Sequence, residues 1–461
     1  MKFNQSIFRE YDIRGIVGVD FDADLALRLG FAYAQMLKEA LPNEQNLTVA
    51  VGHDCRLSAN EMRSALTKGL LLSGIKVIDS GMGPTPQLYY TVVSKKLSGG
   101  IQVTASHNPG DQNGFKMMLA GKTLSGPDIQ KLKDYILKND NIVNDAQPAL
   151  TTEYFNAHDA YLEELIKLAK PQIGKRKIKV VVDGGNGVGG MVGPQLLRAL
   201  GCEVIELFTD PDGTFPNHHP DPTVLENIVE LRARVVSENA DLGIAWDGDA
   251  DRIGVVDEKG NPIYGDMLLV LYGRQLLKEV KNPIIIGDVK CSDLMFNDLK
   301  SKGANTVMSK TGHSLIKAKL KELHGDLAGE MSGHMFFVHR YFGYDDAIHA
   351  SARIIEIITN TDSKLSELLA DLPKMYSTPE IRVDCPEEIK FKVAEGAKKA
   401  FSEYQVNTLD GVRVTFPDGW GLVRASNTQP ALVMRFEASS PENLVKYQKL
   451  VEERIDKLKN A

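Results

Sequence analysis

Three observations mark this chain as an α/β protein of several domains. A βα unit recurs three times, the strand runs are apolar on both faces, and the rhythm changes near residue 369. The predicted fold is three related mixed α/β domains with βα units plus a smaller α+β C-terminal domain. The expected boundaries are 1–150, 151–255, 256–368 and 369–461.

The first unit runs from L-T-V-A-V-G-H-D to K-G-L-L-L-S-G-I-K-V-I. The second runs from I-K-V-V-V-D-G-G to Q-L-L-R-A-L-G-C-E-V-I, and the third from P-I-I-I-G-D-V-K to F-N-D-L-K-S-K-G-A-N-T-V. In each, a strand ends in a Gly/Asp turn, a helix follows, and glycine stops the helix. Gly74, Gly201 and Gly303 stand at matching stops, where a left-handed cap favours glycine. Alternating strands and helices imply mainly parallel, buried sheets, with ligand sites at the strands' carboxyl ends. After D-L-P-K-M-Y-S-T-P-E the pattern becomes G-V-R-V-T-F, G-L-V-R-A-S and A-L-V-M-R-F-E-A, three strands, and then a closing amphipathic helix.

At 461 residues, 25% charged and 43% hydrophobic, the composition is that of a globular chain. Domains of roughly 100–200 residues imply three or four of them. A net charge of −7 without any basic block argues against a nucleic-acid partner, though a local pocket can still be basic. Cys55, Cys202, Cys291 and Cys385 are far apart, which suits reduced thiols in a cytoplasmic protein. The N-terminus lacks a signal-peptide core, and apolar runs such as Met267–Tyr272 are too short to cross a bilayer. A soluble protein without a membrane partner, monomeric or weakly oligomeric, is expected.

D-G-D-A-D-R, residues 247–252, lies between two strand runs. On an extended or gently turning backbone, Asp247, Asp249 and Asp251 can converge on one cation, and oxygen ligands suit Mg²⁺ or Ca²⁺. A calcium loop would place glycine at its sixth position, where Arg252 stands, although Glu258 fills the twelfth. A Mg²⁺ site is the better reading.

Gly185, Gly187 and Gly190 form a literal G-x-G-x-x-G between strand and helix, with Glu206 near the place of a ribose-binding acid. That alone would suit an NAD(P)-dependent oxidoreductase. It would leave the aspartates and the 104–110 loop without a task, and such glycines also serve tight packing. R-A-S-N-T-Q-P, residues 424–430, offers Arg424 for a phosphate and Ser426, Asn427 and Thr428 as short donors, or is a plain polar turn. A-G-E-M-S-G-H alternates Glu330, Ser332 and His334, which would project to one side of an extended segment and suit sugar hydroxyls. Lys290 and His313 follow other strands.

Ser106, in I-Q-V-T-A-S-H-N-P-G, has three readings: turn residue, hydrolase nucleophile or phosphoryl carrier. The G-x-S-x-G elbow is missing, and His107 would point away from Ser106 in extended chain. A phosphoserine carries roughly −1.5 to −2 charges, which call for a cation and basic groups. The aspartates supply the first, and Arg14, Lys116, Arg252 and Lys290 are candidates for the second.

T-A-S-H-N-P, D-G-D-A-D-R, G-E-M-S-G-H and R-A-S-N-T-Q-P, in this order, resemble the signature loops of the α-D-phosphohexomutase family, closest to its bacterial phosphomannomutase/phosphoglucomutase branch. The match runs from Y-D-I-R-G, residues 11–15, to the last domain. The resemblance implies four domains around a central cleft, one loop from each. It implies that Ser106 is phosphorylated and binds Mg²⁺ together with Asp247, Asp249 and Asp251. Arg14, Lys116, Arg252 and His334 would serve the reaction, with Lys116 or His334 as general base or acid. Lys290, His313, Glu330 and Ser332 would meet the sugar, and Arg424, Ser426, Asn427 and Thr428 the phosphate that is not transferred. The implied activity interconverts hexose 1- and 6-phosphates through glucose 1,6-bisphosphate or its mannose counterpart. Met331 and Thr104 favour glucose and mannose phosphates over the alternative within the family, phosphoglucosamine mutase.

Overall fold

The computed structural model describes residues 3–138, 147–426 and 430–459. The first sheet contains β1 (Ile13–Ile16), β2 (Thr48–His53), β3 (Lys76–Met82), β4 (Gly99–Val103), β5 (Gln112–Leu119), β6 (Lys122–Thr123) and β7 (Glu153–Tyr154). The second contains β8 (Lys179–Asp183), β9 (Glu203–Leu207), β10 (Leu242–Trp246), β11 (Ile253–Asp257) and β12 (Pro262–Ile263). The third contains β13 (Ile284–Asp288), β14 (Asn305–Ser309), β15 (Leu327–Gly329) and β16 (Met335–Phe337).

These three sheets repeat one plan. β2 lies between β3 and β4, all parallel, and β5 returns antiparallel on β4. β8 lies likewise between β9 and β10 with β11 returning, and β13 between β14 and β15 with β16 returning. The parallel trio is what βα units build. The antiparallel return makes each sheet mixed, because a loop of a few residues can only fold a strand back on its neighbour. The three helix-stopping glycines have φ of +76°, +92° and +103°, as left-handed caps require.

The fourth sheet is wholly antiparallel, in the order β17 (Tyr376–Ser377), β22 (Ala431–Ala438), β21 (Gly419–Ala425), β20 (Val412–Phe416), β19 (Gln405–Asn407), with β18 (Ile381–Asp384) also on β22. Helices Glu387–Ala400 and Pro441–Lys459 cover it and close its own apolar core. The three strands and last helix expected from the sequence are present. Helix Glu387–Ala400 and β18 were not anticipated, because their apolar residues are sparse among charges.

The second and third sheets share one core. Helix Ala347–Thr359 is buried along almost its whole circumference and packs on helix Gly189–Ala199 of the second unit. Trp246 of β10 donates its indole N–H to Ser351 Oγ at 2.9 Å inside that core. Among the described residues no helix is long and apolar enough to cross a membrane.

Candidate active site

The repeated plan has a chemical consequence. The Ser106 loop joins β4 to β5, the aspartate loop joins β10 to β11, and the Glu330–His334 loop joins β15 to β16. All three occupy the same corner of their sheets. In the fourth sheet Arg424 and Ala425 end β21 and Ser426 follows them, on the side where β21 leads to β22.

Ser106 has φ +53°, a left-handed value that costs a non-glycine residue roughly 1–2 kcal/mol. The loop is held there. Thr104 Oγ1 accepts the Ser106 N–H at 2.9 Å and donates to Asp54 at 2.7 Å. Arg56, whose side chain is fully buried, uses all five N–H donors. They go to Asp54 and to the carbonyls of Ser106, Asn108, Pro109 and Gln112, while Phe215 of the second unit covers the guanidinium face at 5.2 Å. Because the backbone turns at Ser106, its hydroxyl meets His107 Nδ1 at 3.1 Å. The divergence expected of extended chain does not occur. Burial, then Arg252 and Arg14, hold the His107 imidazole well below its usual range, so it is neutral.

Ser106 Oγ donates to Asp247 Oδ2 at 2.7 Å across the gap between the first two units. Asp247, Asp249 and Asp251 can bring one oxygen each within 4.8 Å of one another, and none of the three is exposed to solvent. The loop turns more tightly than the extended or gently turning backbone expected. Asp247 Oδ1 accepts the backbone N–H of Asp251 and Arg252, and Ala250 has φ +56°. Burial, then Asp251 and Asp249, push the Asp247 carboxyl well above its usual range. Asp249 Oδ1 is buried without a hydrogen-bond partner among the described residues. Crowded, all-oxygen and partly orphaned, this set fits a hard divalent cation.

Lys116, on β5, presents Nζ to Asp249 at 2.6 Å and to Asp251. Burial works to lower its pKa, but the two carboxylates hold the ammonium above its ordinary range. His334 touches Asp251 at 3.2 Å and Glu330 at 3.0 Å. Burial opposes its charge, yet these carboxylates raise the imidazole to about 9. Glu330 is depressed to about 2 against its burial by His334, Lys290 and the Gly312 N–H. Glu330, Ser332 and His334 converge, though not by strand alternation. A tight turn with Gly333 at φ +93° brings Ser332 Oγ to 3.2 Å from His334 Nδ1.

A cleft of about 870 Å³ collects the other candidates. Arg14, Lys116, Arg252, Lys290, His313, Glu330, Ser332, His334, Arg424 and Ser426 line it, while Ser106 is only 1% exposed in the wall behind them. Arg14 donates to Ala105 O and Asn108 Oδ1 at 3.1 Å each, and Arg252 Nε lies 3.3 Å from His334 Nε2. Lys290 meets Glu380 at 3.1 Å, and His313 stacks on His334 with centroids 5.7 Å apart. Asn427 and Thr428 lie outside the described residues.

The glycine-rich turn is explained by packing. A Cβ on Gly187 would stand 2.7 Å from Gly248 O, and one on Gly190 2.1 Å from Thr209 O. The turn braces the aspartate loop, with Val188 N–H on Gly248 O at 3.1 Å. Glu206 is engaged by Arg198 and Thr209. Residues that sequence reasoning passed over include Arg56, Asp54, Thr85 (hydrogen-bonded to Asp249), Asp345 and Asp410. D-C-R, residues 54–56 directly after β2, carried a signal, since charge at a parallel strand's carboxyl end rarely lacks a partner there.

Four family models cover nearly the whole chain: phosphoglucomutase/phosphomannomutase alpha/beta/alpha domains I, II and III over residues 5–143, 159–260 and 264–376, and the C-terminal domain over 380–454. The phosphomannomutase/phosphoglucomutase of Pseudomonas aeruginosa is 46% identical over 444 residues, covering 95% of this chain and 93% of the relative. The phosphoglucomutase of Neisseria gonorrhoeae is 43% identical over 440 residues, covering 95% and 94%. A crystal structure of a phosphoglucomutase/phosphomannomutase family protein from Burkholderia thailandensis superposes with a TM-score of 0.89 at 40% identity, covering 99% of this chain and 98% of the other. With the models spanning every sheet that carries one of the four loops, this chain belongs to the phosphoglucomutase/phosphomannomutase family.

Proposed function

We propose that the chain is a phosphohexomutase, an isomerase that interconverts the 1- and 6-phosphates of glucose and mannose through a phosphoserine at 106. The supporting observation is the 2.7 Å hydrogen bond from Ser106 to Asp247 within a buried, all-oxygen cluster, beside a cleft that Arg424 lines. The four loops divide the work among the four domains, though the sheets run past the expected boundaries at 150/151 and 255/256: β7 pairs in the first sheet, and β11 and β12 extend the second to Ile263. The free cysteines suit the cytoplasm.

In the first half-reaction a free sugar hydroxyl attacks phosphorus. The bond to Ser106 Oγ breaks, and the hydroxyl proton passes to a basic side chain, leaving a hexose 1,6-bisphosphate. In the second, Ser106 Oγ attacks the other phosphate of that intermediate and the sugar oxygen recovers a proton. Asp247, Asp249 and Asp251, with a phosphoserine oxygen, would hold Mg²⁺, which supplies positive charge against the transferring group. Arg14 and Arg252 add fixed positive charge around the loop. Lys116 and His334 both carry protons as the cleft stands, so each can return one to an oxygen that loses its phosphoryl group. Either must first lose that proton to serve as base. Glu330, Ser332, Lys290 and His313 hold the ring, and Arg424 with Ser426, Asn427 and Thr428 holds the idle phosphate.

Removal of divalent cations by EDTA is expected to lower turnover at least about 100-fold, with Mg²⁺ restoring it. Full activity in the chelator would sink the metal assignment. Met331 lines the cleft beside Glu330 and brings no acceptor for an amino group. Glucosamine 1-phosphate is therefore expected to turn over at least about 10-fold more slowly than glucose 1-phosphate or mannose 1-phosphate in a coupled assay. Equal rates on all three would contradict the sugar preference.

A further inference from the structure

One carboxylate outside every motif joins the phosphate arginine to a neighbouring domain. Asp410, in the turn before β20, accepts Arg424 Nε at 3.0 Å and the Thr311 backbone N–H at 3.1 Å, both on Oδ2. Thr311 belongs to the third unit and is itself a junction. Its carbonyl accepts the Tyr11 hydroxyl of the first unit at 2.7 Å, and its Oγ1 donates to Asp288 at 3.0 Å. The next N–H, of Gly312, goes to Glu330 Oε1 at 2.6 Å. Arg424 is 5% exposed, it lines the cleft, and its Nη2 has no partner among the described residues.

We infer that Asp410 is a positioning residue that aims Arg424 at the idle phosphate and, through Thr311, makes phosphate capture and seating of the C-terminal domain a single event. This rests on the mutase reading. A guanidinium is a planar fork, so fixing its Nε edge leaves the other edge free to grip a phosphate bidentately. Holding that edge in advance removes rotamer freedom that the ligand would otherwise have to quench. The carboxylate also offsets the burial of the arginine before a phosphate arrives. It repels the phosphate as well. That repulsion acts on a pair already close to neutral, whereas loss of the carboxylate frees both the guanidinium and the Thr311 tether, so the aiming effect dominates. Because the idle phosphate is bound alike in ground and transition states, the effect belongs in KM rather than kcat.

The test is steady-state kinetics on glucose 1-phosphate with saturating glucose 1,6-bisphosphate. Asp410→Ala is expected to raise KM about 10-fold or more while kcat stays within about 3-fold, and to weaken inhibition by inorganic phosphate in parallel. Asp410→Asn, whose amide oxygen can accept the same two hydrogens, recovers most of the loss. In the Arg424→Ala background the second substitution adds nothing, since an aiming residue has no effect once its arginine is gone. Asp410→Ser, too short to reach Arg424, repeats the comparison if the alanine variant fails to fold. A KM within about 2-fold of wild type for the truncated variant, or multiplying effects in the double variant, overturns the inference. The mutase reading fails elsewhere, in a wild-type chain that shows no turnover at all.

Discussion

Ser106→Ala is expected to abolish turnover, by at least about 10⁴-fold, while the chain keeps its fold. Both half-reactions of the proposed mechanism pass through Ser106 Oγ, so its removal leaves the phosphoryl group without its carrier. Ser106 Oγ lies 2.7 Å from Asp247. The fold is expected to survive because the Arg56 contacts reach the Ser106 carbonyl rather than its side chain. Stability should fall by about 1–3 kcal/mol, because Asp247 and His107 each lose a buried partner. Turnover assays, urea unfolding and intact mass check this together. Wild-type protein incubated with glucose 1,6-bisphosphate gains one phosphate, and the variant gains none. A variant that still turns over, or still takes up the phosphate, would show that the carrier is a different residue.

Arg56→Ala is the second large effect, and it acts through geometry. The guanidinium joins Asp54 to four carbonyls of the 106–112 loop and is roofed by Phe215 of the second unit. Truncation strands a buried carboxylate and four acceptors, a loss of about 3–5 kcal/mol. Freed of the clamp, the loop relaxes from the left-handed turn at Ser106, and the hydroxyl leaves the aspartates. A displacement of about 1 Å at a reacting atom can cost about 100-fold in rate. Arg56→Lys is expected to recover little of either, since one ammonium cannot reach five acceptors spread around a plane. Urea unfolding reads the first loss, and kcat of the folded fraction the second. Near-wild-type kcat in that fraction would mean that the loop keeps its turn unaided.

Much of the fold was legible because it is local. Apolar runs, glycine stops and the switch of period after residue 369 are written into neighbouring residues, and the strands and helices of the three βα units follow from them. Two local expectations failed for a common reason. Glu330, Ser332 and His334 were expected to converge through strand alternation, and Ser106 and His107 to diverge by it. Both segments are turns, at Gly333 and at Ser106 itself, so alternation does not apply to them. Helix Glu387–Ala400 escaped because its buried face is narrow, with Lys390, Val393, Ala394 and Ala397 set among exposed charges.

The chain's own order of residues determined which groups are chemically competent: a serine after a strand, three alternating aspartates, a carboxylate–histidine turn and an arginine loop. It also determined that the first three come from successive βα units of one design. Only the tertiary structure decided that these loops share one corner, because that follows from pairing of strands distant in sequence, such as Val49 with Gly99, Val180 with Leu242 and Ile285 with Leu327. It alone revealed Arg56 and Asp410, whose partners are backbone carbonyls and amides of other segments. A backbone group has the same identity in every residue, so no side-chain pattern announces which one a distant charge will seek.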